Sequence, residues 1–301
     1  MKLTILGCHA ASLRWGAFPT SQVLEISGRV FLIDCGEAAQ MQLRRSKVKF
    51  SRIKQIFISH LHGDHYYGLI GLISTFQLLG RETELTIYGP RGIKDIILIQ
   101  LDASESYIGY PLNFVELDSD KPQKIYEDEK VMVETIPLKH RIYCNGYLFQ
   151  EKPGPRRINI DKAKEAEIDV AYFNKLKKGS DVPNKHGKII SNEEVTLEPH
   201  LPKSYAFCSD TQYYPKIVEQ IKNVQVLYHE STFLNSHQYL CERTMHSTAK
   251  EAAEIAQSAQ VQTLILGHYS GRYKNREDFR KEAQEVFQNT LLTEDGKQFQ
   301  F

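Results

Sequence analysis

Apolar residues fall along this chain in short runs that alternate with helical stripes. Lys2–Gly7, Gln22–Ser27 and Arg29–Cys35 alternate or run apolar between glycines, which predicts three strands, with Ser27-Gly28-Arg29 as a tight hairpin. A helix follows Cys35 to about Arg45, with Gly36 allowing the turn. Ile56-Phe57-Ile58 reads as a buried strand, and the period then changes to a helical stripe at Leu69, Leu72, Ile73, Phe76 and Leu79. Further strands are expected at Leu85–Tyr88, Leu112–Leu117, Lys130–Pro137, Tyr205–Cys208, Val224–Tyr228 and Val261–Leu266. Helices are expected after Gly89-Pro90 to about Asp102, over Ala249–Ala259 with Ser247 or Thr248 as cap, and over Arg276–Phe287. Alternation of strands and helices on this scale is an α/β pattern.

One stretch breaks it. From Gln150 to about Thr196 the composition turns polar and hydrophobic periodicity weakens, apart from a helical piece at Asp161–Ile168 and a cluster at Val170–Leu176. Pro153-Gly154-Pro155 opens this stretch, and it reads as an insertion into a single domain of 1–301 rather than as core.

With 301 residues and 41% hydrophobic content the chain can bury a sizeable core. A net charge of +1 excludes a global cationic field, so nucleic-acid binding must rest on local basic patches. Arg44, Arg45, Lys47 and Lys49 form one such run, a candidate for phosphate contact. The five cysteines include no CxxC pair, and four lie in or beside apolar runs, as reduced core residues of a cytoplasmic protein would. MKLTILG is a strand, not a signal peptide, and nothing approaches a membrane span.

The chemistry concentrates in Ser59-His60-Leu61-His62-Gly63-Asp64-His65, between a strand end and a helix start. Neutral imidazole and carboxylate are a ligand set that zinc accepts. His60 and His62, two apart on an extended loop, can point toward one ion; Asp64 and His65 can turn toward a second. A solvated loop does not need this ligand density directly after a buried strand. His140, Asp210 and His268 likewise lie at the C-terminal ends of apolar strands, the edge where α/β sheets bind ligands.

His-x-His-x-Asp-His resembles the metal signature of the metallo-β-lactamase superfamily, and SHLHGDHYYGLIGL is similar to the ribonuclease Z family within it. Asp34-Cys35-Gly36-Glu37-Ala38-Ala39-Gln40 resembles that family's DCGEGTQ, His229-Glu230-Ser231-Thr232-Phe233 its HEATF, and His140 before Gly146-Tyr147-Leu148-Phe149 its third motif. The resemblance covers nearly the whole chain. It departs at Ser12–Gln22, which lacks the Arg-Asn of a family loop that senses the tRNA 3′ end, and in the insertion, which lacks a Gly-Pro tip.

The resemblance implies a four-layer αββα sandwich with an inserted tRNA-binding arm at 150–196. It implies two Zn²⁺ per subunit, with Mn²⁺ or Fe²⁺ able to use the same ligands. His60, His62 and His140 would hold one ion, Asp64, His65 and His268 the other, and Asp210 would bridge them. Asp34 would orient a metal-binding histidine. Asp64 would also accept a proton from the attacking water, and His246, held by Glu230, would act on the leaving oxygen. The implied activity is removal of the 3′ trailer from precursor tRNA by a homodimer, leaving a 3′-hydroxyl and a 5′-phosphate. Arg156, Arg157, Lys175, Lys177 and Lys178 of the arm are candidate RNA contacts. Two other readings remain: another phosphodiesterase or arylsulfatase-like hydrolase of the superfamily, and an RNA-binding protein with a structural metal. Glu230, His246 and the basic arm argue against the first. A ligand set without cysteine argues against the second.

Overall fold

The strand Arg29–Ile33 reads as an unbroken apolar run because its two faces enter two different cores. Val30 and Leu32 pack with Leu69, Leu72, Ile73, Phe76, Ile93 and Ile97, whereas Phe31 and Ile33 pack with Phe57, Tyr147, Phe149 and Tyr205. The first group is the cover of helices Leu69–Leu78 and Ile93–Ala103; the second joins two sheets. Aromatic rings bridge those sheets, with Phe57 and Phe149 edge to face at 5.3 Å and Phe31 and Phe149 also 5.3 Å apart.

In the computed structural model, which describes residues 1–12 and 15–301, the chain divides into two units. Leu13 and Arg14, within the Ser12–Gln22 loop singled out from the sequence, lie outside the described residues. The first unit comprises Met1–Glu127, Val131–Gln150 and Lys203–Phe301. One seven-stranded sheet runs in the order Gln298–Gln300, Lys2–Gly7, Ser21–Ile26, Arg29–Ile33, Ile53–Phe57, Leu85–Pro90 and Leu112–Leu117. The other runs Thr290–Leu292, Thr263–Gly267, Val226–Glu230, Ser204–Cys208, Asn145–Glu151, Val131–Pro137 and Lys124–Glu127. Helices Ala249–Ser258 and Glu277–Gln284 cover the second sheet, which completes four layers, αββα. Within each sheet the central strands are parallel, so their C-terminal ends share one edge.

Thr248, not Ser247, caps helix Ala249–Ser258, in a reciprocal capping box with Glu251. Gly36 is required for a different reason from the one its sequence context indicates. The left-handed φ values in this turn fall on Asp34 and Ala38, and a Cβ at Gly36 would lie 2.4 Å from the Asp64 carbonyl oxygen. Close approach, not turn geometry, demands glycine there. The helical stripe after the histidines lies on the helix Leu69–Leu78, where Leu69, Leu72, Ile73 and Phe76 are buried but Leu79, just past its end, is exposed; a separate helical turn, Gly63–Tyr66, precedes it. All five cysteines are free and buried, and among the described residues no helix is long and apolar enough to cross a membrane.

The second unit, Asp128–Lys130 with Glu151–Pro202, has a small core of its own: Ile168, Leu176, Val182, Ile190 and Val195. Two short strand pairs, Arg157–Ile158 with Thr196–Leu197 and Val182–Pro183 with Ile189–Ile190, tie it together. The Asn192 side chain donates to the Leu176 carbonyl at 2.6 Å.

Candidate metal centre

The parallel strands end in residues whose backbones turn sharply. Asp34, Asp210 and His268 each follow a strand and adopt φ of 54, 58 and 60°. Asp and His tolerate this region better than most residues, and such strain gathers at functional sites. The turns aim side chains into one buried cluster, to which His60, His62, Asp64, His65, His140 and Glu230 also contribute.

Two ligand groups result. His60, His62, His140 and Asp210 offer atoms within 4.8 Å of one another, and Asp64, His65 and His268 do the same. His62 Nδ1 lies 2.9 Å from His60 Nε2 and 3.2 Å from His140 Nε2. Asp210 stands between the groups: its Oδ2 is 3.6 Å from His60 Nε2, and its Oδ1 is 3.2 Å from both His65 Nε2 and His268 Nε2.

The outer nitrogens explain why these rings face inward. His65 Nδ1–H donates to Asp34 at 2.7 Å, and Asp34 also accepts from the Ser59 amide and hydroxyl. Asp34 therefore does not cap the following helix, whose N-cap is Ala38. His60 Nδ1 pairs with Ser59 Oγ at 3.0 Å, His140 Nδ1 with the Met245 carbonyl at 3.0 Å, and His268 Nδ1 with Thr232 Oγ1 at 2.8 Å. Each of these hydrogen bonds places the ring proton on Nδ1 and leaves the Nε2 lone pair directed inward. Ser59, Thr232 and Met245 had no assigned role from the sequence; their signal is adjacency, beside His60, two beyond Glu230 and one before His246.

The arrangement fits divalent cations. His65 Nε2 and His268 Nε2 are buried with no hydrogen-bond partner among the described residues, and both aim at carboxylates. An orphaned buried nitrogen is costly, and a cation among these atoms would satisfy it. Burial holds His60 well below the usual imidazole range, the neutral form that ligates. Burial also favours the neutral acid at Asp210, but His268, His65 and His60 outweigh it and keep the carboxyl well below its ordinary range.

His246 belongs to a different arrangement. Its Nδ1–H donates to Glu230 Oε1 at 2.7 Å, and its ring lies 5.3 Å from His140 and 5.2 Å from His268, centroid to centroid. Glu230 is fully buried and also accepts from the Thr211 amide and from the Thr232 hydroxyl and amide. Burial lowers His246, but the Glu230 carboxylate more than compensates and raises it to about 9. The Glu230 carboxylate therefore favours the cationic form of this ring.

The candidate RNA contacts of the second unit lie in varied settings. Arg156 is half-buried and bonded within the unit, to Glu198 at 2.5 Å and Thr196 Oγ1 at 2.8 Å. Arg157, Lys175, Lys177 and Lys178 are exposed. In the first unit, Arg44 and Arg45 end helix Ala39–Arg45, stacked over Phe50 and Phe18 at 5.1 and 5.8 Å.

The two sheets, their flanking helices and the ligand cluster at the strand ends are a metallo-β-lactamase fold. A metallo-β-lactamase fold protein of Bacillus subtilis, YhfI, superposes with TM-score 0.69 over 99% of each chain at 19% identity. Human tRNase Z, short form, superposes with TM-score 0.72 over 100% of this chain and 99% of that one, at 26% identity. A family model described as Anti-Pycsar protein Apyc1 matches residues 1–147, less than half the chain. A curated ribonuclease Z of Bacteroides fragilis is 45% identical over 295 residues, 98% of this chain and 97% of its own. The chain belongs to the ribonuclease Z family.

Proposed function

We propose that this protein is a metal-dependent endoribonuclease that removes the 3′ trailer from precursor tRNA. The observation that carries the reading is the placement of Asp210, whose two oxygens face separate nitrogen groups, as a bridge between two ions requires. His60, His62 and His140 would hold one Zn²⁺, and Asp64, His65 and His268 the other. The donor set also suits Mn²⁺ or Fe²⁺. When bound, the ions supply Lewis acidity, which activates water and offsets charge on the phosphate.

The chain's own groups supply the proton transfers. Asp64 orients the attacking water and accepts its proton; His65 keeps that carboxyl ionised against the effect of burial. The water oxygen bonds to phosphorus as the bond to the 3′ oxygen breaks. His246 gives its proton to that oxygen, while Glu230 holds the imidazolium in place. The products are a tRNA with a 3′-hydroxyl and a trailer with a 5′-phosphate.

The residues 150–196, all but Gln150 within the second unit, act in this reading as an RNA-binding arm through Arg157, Lys175, Lys177 and Lys178, with Arg156 bracing its base. That unit contains eleven Lys/Arg against eleven Asp/Glu, so local clustering, not net charge, must attract RNA. In support of a homodimer, Leu98, Ile99 and Tyr107 are exposed together around one shallow depression. Free thiols at every cysteine suit a reducing cytoplasm.

The test is incubation of the metal-loaded protein with a precursor tRNA carrying a 3′ trailer, with and without chelator. The reading expects one cut, the stated ends, and loss of cleavage on chelation. Changing Lys175, Lys177 and Lys178 to Gln should flatten the salt dependence of binding, by about 0.7–0.9 in slope for each phosphate these lysines neutralise. Cleavage unaffected by chelator would overturn the metal role; intact precursor would overturn the substrate.

A further inference from the structure

The outer nitrogens of the five histidines do not all face the same kind of group. Those of His60, His65, His140 and His268 face oxygens, each able to accept a hydrogen bond. The outer nitrogen of His62 faces Arg141: Nη2 lies 2.8 Å from His62 Nε2. A guanidinium offers donors only.

This pairing cannot persist when the centre is loaded. His62 converges on His60 and His140 through Nδ1, so Nδ1 is the atom that would give its lone pair to an ion. A neutral ring that ligates through Nδ1 carries its proton on Nε2. Two N–H groups would then oppose each other across 2.8 Å. Arg141 is exposed, and among the described residues no carboxylate pairs with it, so nothing holds it once that acceptor is gone. An ion held by these residues would thus leave the Arg141 guanidinium free at the mouth of the centre, one residue from His140.

We propose that Arg141 is a substrate-positioning residue, whose guanidinium binds a non-bridging oxygen of a phosphodiester in the RNA beside the metal centre. Arginine suits the role: it is always charged, and its planar fork matches two phosphate oxygens. The release is directional. Without metal, Arg141 rests on His62 and is withheld from RNA; with metal, it is available, so ion binding and RNA binding favour each other at this residue. Arg141 has this role only if the centre cleaves phosphodiesters as proposed above.

The test uses a precursor tRNA whose scissile 3′ oxygen is replaced by methylene, which cannot be hydrolysed. Metal content and equilibrium binding across a salt series are measured for the wild type, Arg141→Ala and Arg141→Lys, before and after chelation. With metal, Arg141→Ala should bind about 10- to 100-fold more weakly, as expected when a charge-assisted hydrogen bond is removed. Its salt slope should be shallower by about 0.7–0.9, with metal content unchanged. Arg141→Lys should keep the slope and regain part of the affinity. After chelation the gap between wild type and Arg141→Ala should narrow. Equal affinity and slope with metal overturn the proposal. Loss of metal from Arg141→Ala also overturns it, making Arg141 a support for His62. If the wild type binds neither metal nor the analogue, the function proposed above falls and Arg141 with it.

Discussion

His62→Ala should abolish trailer cleavage and lower the metal content of the protein. His62 supplies one of three imidazoles converging on one ion, with Nδ1 2.9 and 3.2 Å from its two companions. Alanine offers no lone pair in its place. Changing a residue that merely orients a ligand typically costs 10–100-fold, so removing a ligand should cost more than about a hundredfold. The substitution also separates chemistry from folding. His60 and His65 are fully buried and bonded to Ser59 and Asp34, so changing either disturbs the fold. His62 is half-buried at the mouth, and its partners are the imidazoles of His60 and His140 and the exposed Arg141, not the strand-end groups that fix the fold. Its loss should leave the urea unfolding midpoint nearly unchanged. Full activity with wild-type metal content would remove His62 from the centre.

His246→Ala should lower kcat by about 10²–10⁴, the range for a general acid–base group, and leave the metal content unchanged. Asp210, His246 and His268 also lie within 4.8 Å of one another, so a ligand role is the rival explanation. The two differ in outcome: an acid can be removed without losing metal, a ligand cannot. The pH profile separates them further. Glu230 raises His246 to about 9, and a ring acting as an acid works only while protonated. The rate should therefore fall as pH rises through the ring's pKa. Divalent ions nearby disfavour the imidazolium, which puts this limb at or below about pH 9. His246→Ala should erase the limb. The Glu230–His246 pair also stabilises the fold most fully below the ordinary imidazole range, and that contribution is lost as pH rises through about 9.

How much of this the sequence reveals depends on the range of the forces involved. A strand buried on both faces, such as Arg29–Ile33, announces itself as an apolar run, as does the Ile56-Phe57 end of Ile53–Phe57, and the histidines of the loop that follows stand out; His140, Asp210 and His268, each a lone residue near a strand end, are legible only through the family resemblance. Three of the four edge strands of the two large sheets do not announce themselves: Lys124–Glu127, Thr290–Leu292 and Gln298–Gln300 are only three or four residues long, too short to show a period, and the last pairs with Lys2–Thr4 from the other end of the chain. The small core of the second unit was also hidden, because Ile168, Leu176, Val182, Ile190 and Val195 follow no single period. At the centre, residue types were legible but orientation was not. That Thr232 passes a hydrogen bond from His268 to Glu230, or that a left-handed Met245 turns its carbonyl to His140, depends on backbone turns that composition does not encode.

The central claim is a pair of ions bridged by Asp210, and the electron paramagnetic resonance spectrum of the manganese-loaded protein tests it most directly. Two Mn²⁺ sharing one carboxylate are magnetically coupled, so the account predicts two ions per subunit with the spectrum of a coupled pair. A single uncoupled Mn²⁺ per subunit at saturation would contradict it.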